Sequence, residues 1–332
     1  MEKQTAFKIL SIKNRFNPNA TKILEQKDFE TIAESVEGFN NFPTSLLPTI
    51  IDWEKNEILL SDIDSLDSLN KFPFFYQWQR NKINNLYVLP FEFLQKSSLV
   101  NNNVSPIFVF SIGRCGSTLL VNLCESLGIK TISEPDFLAN ISERIGSNHS
   151  EETISEILKW NTNLFSPFFG TSPLIKLRGS SIKDIEIFSK IFPNSKYIFM
   201  LREPMAWAKS NIKAFNDDPI SLAYYLKEGI EAYKKLFNLN LNLSLIWYED
   251  LVDKPEEILC SLFGEKNFPV NYRSLIKDVM SKDSQEGSTI SQSELAKRNI
   301  NHNFLEEFKR SWIEIYPEDL IKEFNLNKLK ID

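Results

Sequence analysis

Residues 106–128 read PIFVFSIGRCGSTLLVNLCESLG, and the apolar pattern changes its period in the middle of the stretch. An unbroken apolar, β-branched run predicts a strand buried on both faces. It breaks at Gly113-Arg114-Cys115-Gly116 and resumes with Leu119, Leu120, Leu123 and Leu127 at helical spacing. The pattern predicts strand, tight turn, helix. Strand-like and helix-like stretches then alternate. IKTIS (129–133) precedes a helical stretch through EETISEILKWNTNLF, and PLIKLRG supplies a third strand. A helix from Ser180 to Ile191 leads to SKYIFML (195–201), and REPMAWAKSNIKAF follows as a helix with Pro204 near its first turn, where proline is favoured. A long helix from about Pro219 to Asn238 precedes a last strand, LSLIWY (243–248), and NFLEEFKRSWIEIY closes the chain as an amphipathic helix. Such alternation predicts an α/β fold: a three-layer parallel sheet with helices on both faces.

The first hundred residues follow another pattern. TIIDW and EILLSDI flank Glu54-Lys55-Asn56 as the arms of a hairpin, and FFYQWQRNKINNLYVL reads as an aromatic-rich helix or a helix and strand. The cluster Phe72, Phe74, Phe75, Tyr76 and Trp78 is expected to be core. KSSLVNNNVSP (96–106) has the composition of a linker, which divides the chain into an appended region, 1–100, and an α/β domain, 101–332. Residues 281–301 are polar and poor in large apolar groups, as a flexible lid would be.

Charge and composition narrow the function classes. With 25% charged and 42% hydrophobic residues, the 332-residue chain has ordinary globular composition. A net charge of -6 argues against a general nucleic-acid binder. MEKQTAFKILSIKNRF lacks the apolar core of a signal peptide, and no run approaches a membrane span, so the expected location is cytoplasmic. Cys115, Cys124 and Cys260 form no C-x-x-C pair, which fits reduced thiols. His149 and His302 are the only histidines, too few for a histidine-built metal site, and both stand in polar, loop-like surroundings.

A turn between a buried strand and a helix aims backbone N–H groups and a helix N-terminus at one point, a ready site for phosphate. The Ser117 and Thr118 hydroxyls add hydrogen bonds; an ordinary βα turn with nothing bound is the plainer alternative. Gly116 stands where a nucleoside-triphosphate loop carries lysine, so magnesium-dependent phosphoryl transfer lacks its usual anchor. Ligands of open parallel sheets bind beyond the carboxyl ends of the strands. The residues expected there are Arg114, Glu134, Lys176, Arg178, Arg202, Tyr248 and Glu249.

GRCGSTLL after a strand, FPNSKYIFMLREPMAWAKSNI and LIWYEDLVDKPEEIL, in that order, resemble the three signature regions of sulfotransferases that use 3'-phosphoadenosine 5'-phosphosulfate, PAPS. The resemblance covers 106 to about 265, is nearer to the tyrosylprotein and carbohydrate branches than to the small-molecule branch, and implies a P-loop NTPase-like sulfotransferase fold. It implies that Arg114, Cys115, Gly116, Ser117 and Thr118 hold the 5' end of the donor, that Arg202 and Ser210, in R-x-P-x-x-x-x-x-S, hold its 3'-phosphate, and that Tyr248 meets the adenine side. By the same match Glu134 is the general base, while Lys176 and Arg114 steady the transferring group, with no metal and 3',5'-ADP as product. The resemblance implies an acceptor hydroxyl on a small molecule, sugar or peptide, and no nucleic-acid or membrane partner is expected. Each residue also has a plainer reading: Glu134 as a helix-start acid, Arg202 in a surface ion pair, Ser210 as a solvated hydroxyl, Arg178 as a salt-bridged strand end and Tyr248 as core. Two departures bear on activity. Cys115 stands where the family has serine, and Gln285-Glu286-Gly287 where some members carry R-K-G. A non-catalytic nucleotide-binding or interaction module and, less readily, a P-loop kinase are the alternatives.

Overall fold

The structure of the chain, a computed structural model, describes residues 6–18, 21–38, 46–63, 69, 72–96, 104–146, 148–285 and 290–331. In chain order the first elements are β1 (Ala6–Arg15), β2 (Phe29–Gly38), β3 (Leu46–Asp52), β4 (Glu57–Asp62), α1 (Phe75–Lys82) and β5 (Asn85–Pro90). Then come β6 (Ile107–Ser111), α2 (Ser117–Ser126), β7 (Thr131–Ser133), α3 (Ile141–Arg144), α4 (Glu151–Asn163), α5 (Ser166–Phe169), β8 (Leu174–Lys176), α6 (Ile185–Ile191) and β9 (Lys196–Leu201). The remainder is α7 (Pro204–Phe215), α8 (Pro219–Asn238), β10 (Asn242–Trp247), α9 (Tyr248–Asp253), α10 (Pro255–Phe263), α11 (Tyr272–Met280), α12 (Gln292–Ala296), α13 (His302–Ile315) and α14 (Glu318–Glu323). No helix among the described residues is long and apolar enough to cross a membrane.

The chain divides into two compact units, residues 1–106 with 132–175, and 107–131 with 176–332. Residues 132–175 thus go with the N-terminal region, a grouping invisible in the composition around the linker. The first unit is built on an antiparallel sheet of order β2-β1-β5-β4-β3. The expected hairpin is β3 and β4, and the expected aromatic helix and strand are α1 and β5. Phe74, Phe75, Tyr76 and Trp78 are buried as core, with Phe75 edge-on to Phe165, the ring centres lying 5.7 Å apart. Polar ties fasten 132–175 to this sheet: Asp136 accepts from the Leu24 N–H at 2.7 Å, and Arg144 donates to the Ile51 carbonyl at 2.6 Å. His149 departs from its expected polar setting. Its Nε2 meets the Trp53 carbonyl at 2.9 Å, and its ring lies edge-on to Trp53. His302 begins α13.

The second sheet has the order β10-β9-β6-β8-β7, with β10, β9 and β6 parallel. Helices cover both of its faces. Phe199 of β9 packs on Tyr233 of α8, and Phe108 and Phe110 of β6 pack on Phe188 of α6. Lys196 points to the opposite face by the two-residue period of a strand, and there it donates to the Leu262 carbonyl of α10. Strand order reverses at β6, whose neighbours are reached in opposite directions, so the switch point falls at its carboxyl end. Several expected bounds shrink. PLIKLRG pairs only over Leu174–Lys176 and IKTIS only over Thr131–Ser133. The helix expected from Ser180 is a 3-10 stretch, Gly179–Asp184, before α6 begins. Tyr248 belongs to α9 rather than to the preceding strand. Of the lid expected over 281–301, residues 286–289 lie outside the described residues, as does 97–103 of the linker, and α12 forms in the rest.

Candidate functional site

The loop at the end of β6 turns sharply. Gly113, Arg114 and Gly116 have φ of 72°, 53° and 79°. For Arg114 this left-handed backbone costs about 1 kcal/mol or more, a strain that the surroundings must hold. Gly116 is the N-cap of α2 and offers no side chain to its leading N–H groups. A Cβ there would lie 2.3 Å from Tyr248 Cδ2, so glycine is required both by conformation and by the approach of that ring. The result is a ten-residue helix whose N-terminus is left without a side-chain cap, an arrangement suited to an anion.

Five other segments of the second unit meet this loop. From β8, Lys176 is 4% exposed and donates to Thr118 Oγ1 at 3.4 Å. From the turn after β9, Arg202 Nη1 donates to the Arg114 carbonyl at 3.1 Å. One turn of α7 after the turn's Pro204 comes Trp207, whose Nε1 donates to the Gly113 carbonyl at 2.9 Å, and Ser210 Oγ accepts from Arg114 Nε at 3.0 Å. From α9, the Tyr248 ring lies 4.2 Å from the Arg202 guanidinium carbon. After α11, Gln285 Oε1 accepts from Arg114 Nη1 at 2.5 Å.

Two guanidinium groups therefore share one small volume. Burial first, and then the Arg202 charge, lower Arg114 from its ordinary range to about 10. Among the described residues neither arginine has an ion-pair partner, and Arg202 Nε is buried without a hydrogen-bond partner. An uncapped helix start, an orphaned guanidinium N–H and two adjacent cations are the features of a site built for negative charge. They fit a ligand with two anionic groups.

Of the residues expected from the sequence, Arg114, Gly116, Ser117, Thr118, Lys176, Arg202, Ser210 and Tyr248 are brought together in this unit. Cys115 belongs to the loop, but its thiol is fully buried and burial pushes its pKa upward, so the side chain is a packing group. Ser210 is bonded to Arg114 rather than to the Arg202 with which the spacing pairs it. Glu134 follows β7 in the first unit, half-buried, with a left-handed φ of 56°. Arg178 stands at the N-cap position of the 3-10 stretch after β8. Glu249 Oε1 accepts from the Glu203 N–H at 3.2 Å, holding the turn that carries Arg202. Sequence reasoning missed Trp207 and Ser111, whose hydroxyl meets Ser117 Oγ at 3.4 Å. A serine ending the apolar run PIFVFS was the available signal.

No protein-family model matches the chain, and no curated protein matches its sequence. Solved structures similar to it include sulfotransferases. STF9 from Mycobacterium avium is 11% identical over 73% of this chain and 81% of that chain, with a TM-score of 0.48. A sulfotransferase from Alicyclobacillus acidocaldarius is 12% identical over 68% of this chain and 97% of that chain, with a TM-score of 0.40. Mouse SULT7A1 complexed with PAP is 14% identical over 72% of this chain and 90% of that chain, with a TM-score of 0.35. The likeness is remote, and residue roles rest on the geometry above.

Proposed function

We propose that this chain is a PAPS-dependent sulfotransferase, moving a sulfuryl group to an acceptor hydroxyl and releasing 3',5'-ADP. The observation that carries the reading is the meeting of Arg114, Lys176, Arg202 and Ser210 at the uncapped start of α2. PAPS supplies an activated sulfuryl group between two anionic ends. In this reading the N–H groups of α2 with Ser117 and Thr118 hold the 5' end, and Arg202 with Ser210 faces the 3'-phosphate. Lys176 and Arg114 place fixed positive charge where the departing oxygen becomes negative, which lowers the barrier. Glu134 accepts the proton of the acceptor hydroxyl. Free thiols at Cys115, Cys124 and Cys260 accord with a cytoplasmic setting.

A second reading, a nucleotide-binding module without turnover, draws support from the buried Cys115 thiol and from Gln285 already bonded to Arg114. Calorimetry with 3',5'-ADP, followed by transfer assays from PAPS to phenolic, sugar and alkyl hydroxyls, separates the readings. The enzyme takes up 3',5'-ADP and transfers, and Glu134→Gln keeps the uptake while losing turnover. Uptake without transfer to any acceptor class favours the module, and no uptake sinks both.

A further inference from the structure

The segment after α11 reaches the anion-binding loop through its backbone and one side chain. Asp283 Oδ1 accepts from the Gln285 N–H at 3.0 Å, and Asn122 of α2 donates to the Ser284 carbonyl at 3.2 Å. These bonds direct the half-buried Gln285 side chain onto the loop. Its Oε1 accepts from Arg114 Nη1 at 2.5 Å, and its Nε2 donates to Thr118 Oγ1 at 3.5 Å. One amide thus touches two of the groups that an anion on this loop requires.

Among the described residues, both hydrogen-bond acceptors of the Arg114 guanidinium, Ser210 Oγ and Gln285 Oε1, are neutral. Asp283 acts on the same guanidinium through its charge. A phosphate or sulfonate oxygen makes a charge-assisted bond to guanidinium roughly twice as strong as a neutral one makes. The amide is therefore a placeholder that an anion displaces, and the apparent affinity falls by the fraction of molecules in which it is seated.

We infer that Gln285 is a residue that sets the affinity of the donor site, a neutral amide competing with the 5' anionic group of the donor for Arg114 and Thr118. The inference rests on the reading given under Proposed function, and it concerns the 5' end alone. Removal of the amide frees both groups. Gln285→Ala and Gln285→Met, the second keeping side-chain length, should each tighten 3',5'-ADP and 5'-AMP by a similar factor, about 3- to 10-fold, the worth of one neutral hydrogen bond. Gln285→Glu, near in shape but charged, pairs with Arg114 and should weaken both nucleotides by more than about 10-fold.

The test is calorimetry on the full chain with 3',5'-ADP, 5'-AMP and inorganic pyrophosphate, each variant being checked against the parent by urea unfolding. Tighter binding of all three to the Ala and Met variants is the expected result. Unchanged or weaker binding to both variants overturns the inference, because Gln285 is then either idle or a direct ligand contact. If the parent chain takes up neither nucleotide, the sulfotransferase reading fails, and the pyrophosphate comparison still decides for or against competition by the amide.

Discussion

The guanidinium carbon of Arg202 lies 4.2 Å from the ring centre of Tyr248, and the same ring lies against Gly116. Residues after three different strands, β9, β10 and β6, are thereby held in contact. Stacking of this kind uses the face of the guanidinium and leaves its in-plane N–H groups for hydrogen bonds. One of them, Nη1, is placed on the Arg114 carbonyl. The strained loop and the second arginine are therefore parts of a single arrangement.

If Arg202 faces the 3'-phosphate, Arg202→Ala weakens 3',5'-ADP by about 10- to 100-fold, the scale of charge-assisted hydrogen bonds, and leaves 5'-AMP nearly unchanged. Arg202→Lys recovers little, because an ammonium neither stacks nor offers a planar fork. Calorimetry with the two nucleotides checks this. Equal losses for both would refute the assignment of Arg202 to the 3' end.

At Gly116 two penalties coincide, a φ of 79° and a ring carbon 2.3 Å from where a Cβ would stand. Gly116→Ala is expected to cost about 2–4 kcal/mol in urea unfolding. Adding Tyr248→Ala removes the clash and leaves the backbone share, about 1 kcal/mol, so the double variant is more stable than the sum of the singles. Additive losses would mean that the ring is not seated on the loop.

The lowered value of Arg114 sets a pH dependence. A cation is charged below its pKa and neutral above it, so affinity for 3',5'-ADP is full at neutral pH and declines as pH rises through about 10. An ordinary arginine keeps its charge beyond about 12. Titrations between about pH 8 and 10.5 should show a steeper decline in the parent chain than in Arg114→Gln. A parent profile as flat as that of the variant would remove Arg114 from the anion site.

Much of this site was readable along the chain because its parts are local. The break at Gly113 to Gly116 inside an apolar run announced a strand, a turn and a helix, and β6 and α2 form there. Pro204 at the first turn of a helix placed α7, and with it the eight-residue spacing from Arg202 to Ser210. The three-residue strands β7 and β8 show no period over so few positions, and the 3-10 start at Gly179 differs from an α-helix only in its hydrogen bonds.

The sequence by itself determined the α/β alternation, the anion-ready turn and the residue types gathered after the strands, because these depend on periodicity and on glycine and proline within a few positions. Tertiary structure alone decided that Ser210 bonds Arg114, that Tyr248 lies between Gly116 and Arg202 in the contact network, and that 132–175 joins the N-terminal unit. Those pairings join residues far apart along the chain. Packing chooses among many chemically suitable partners, and no local pattern records that choice.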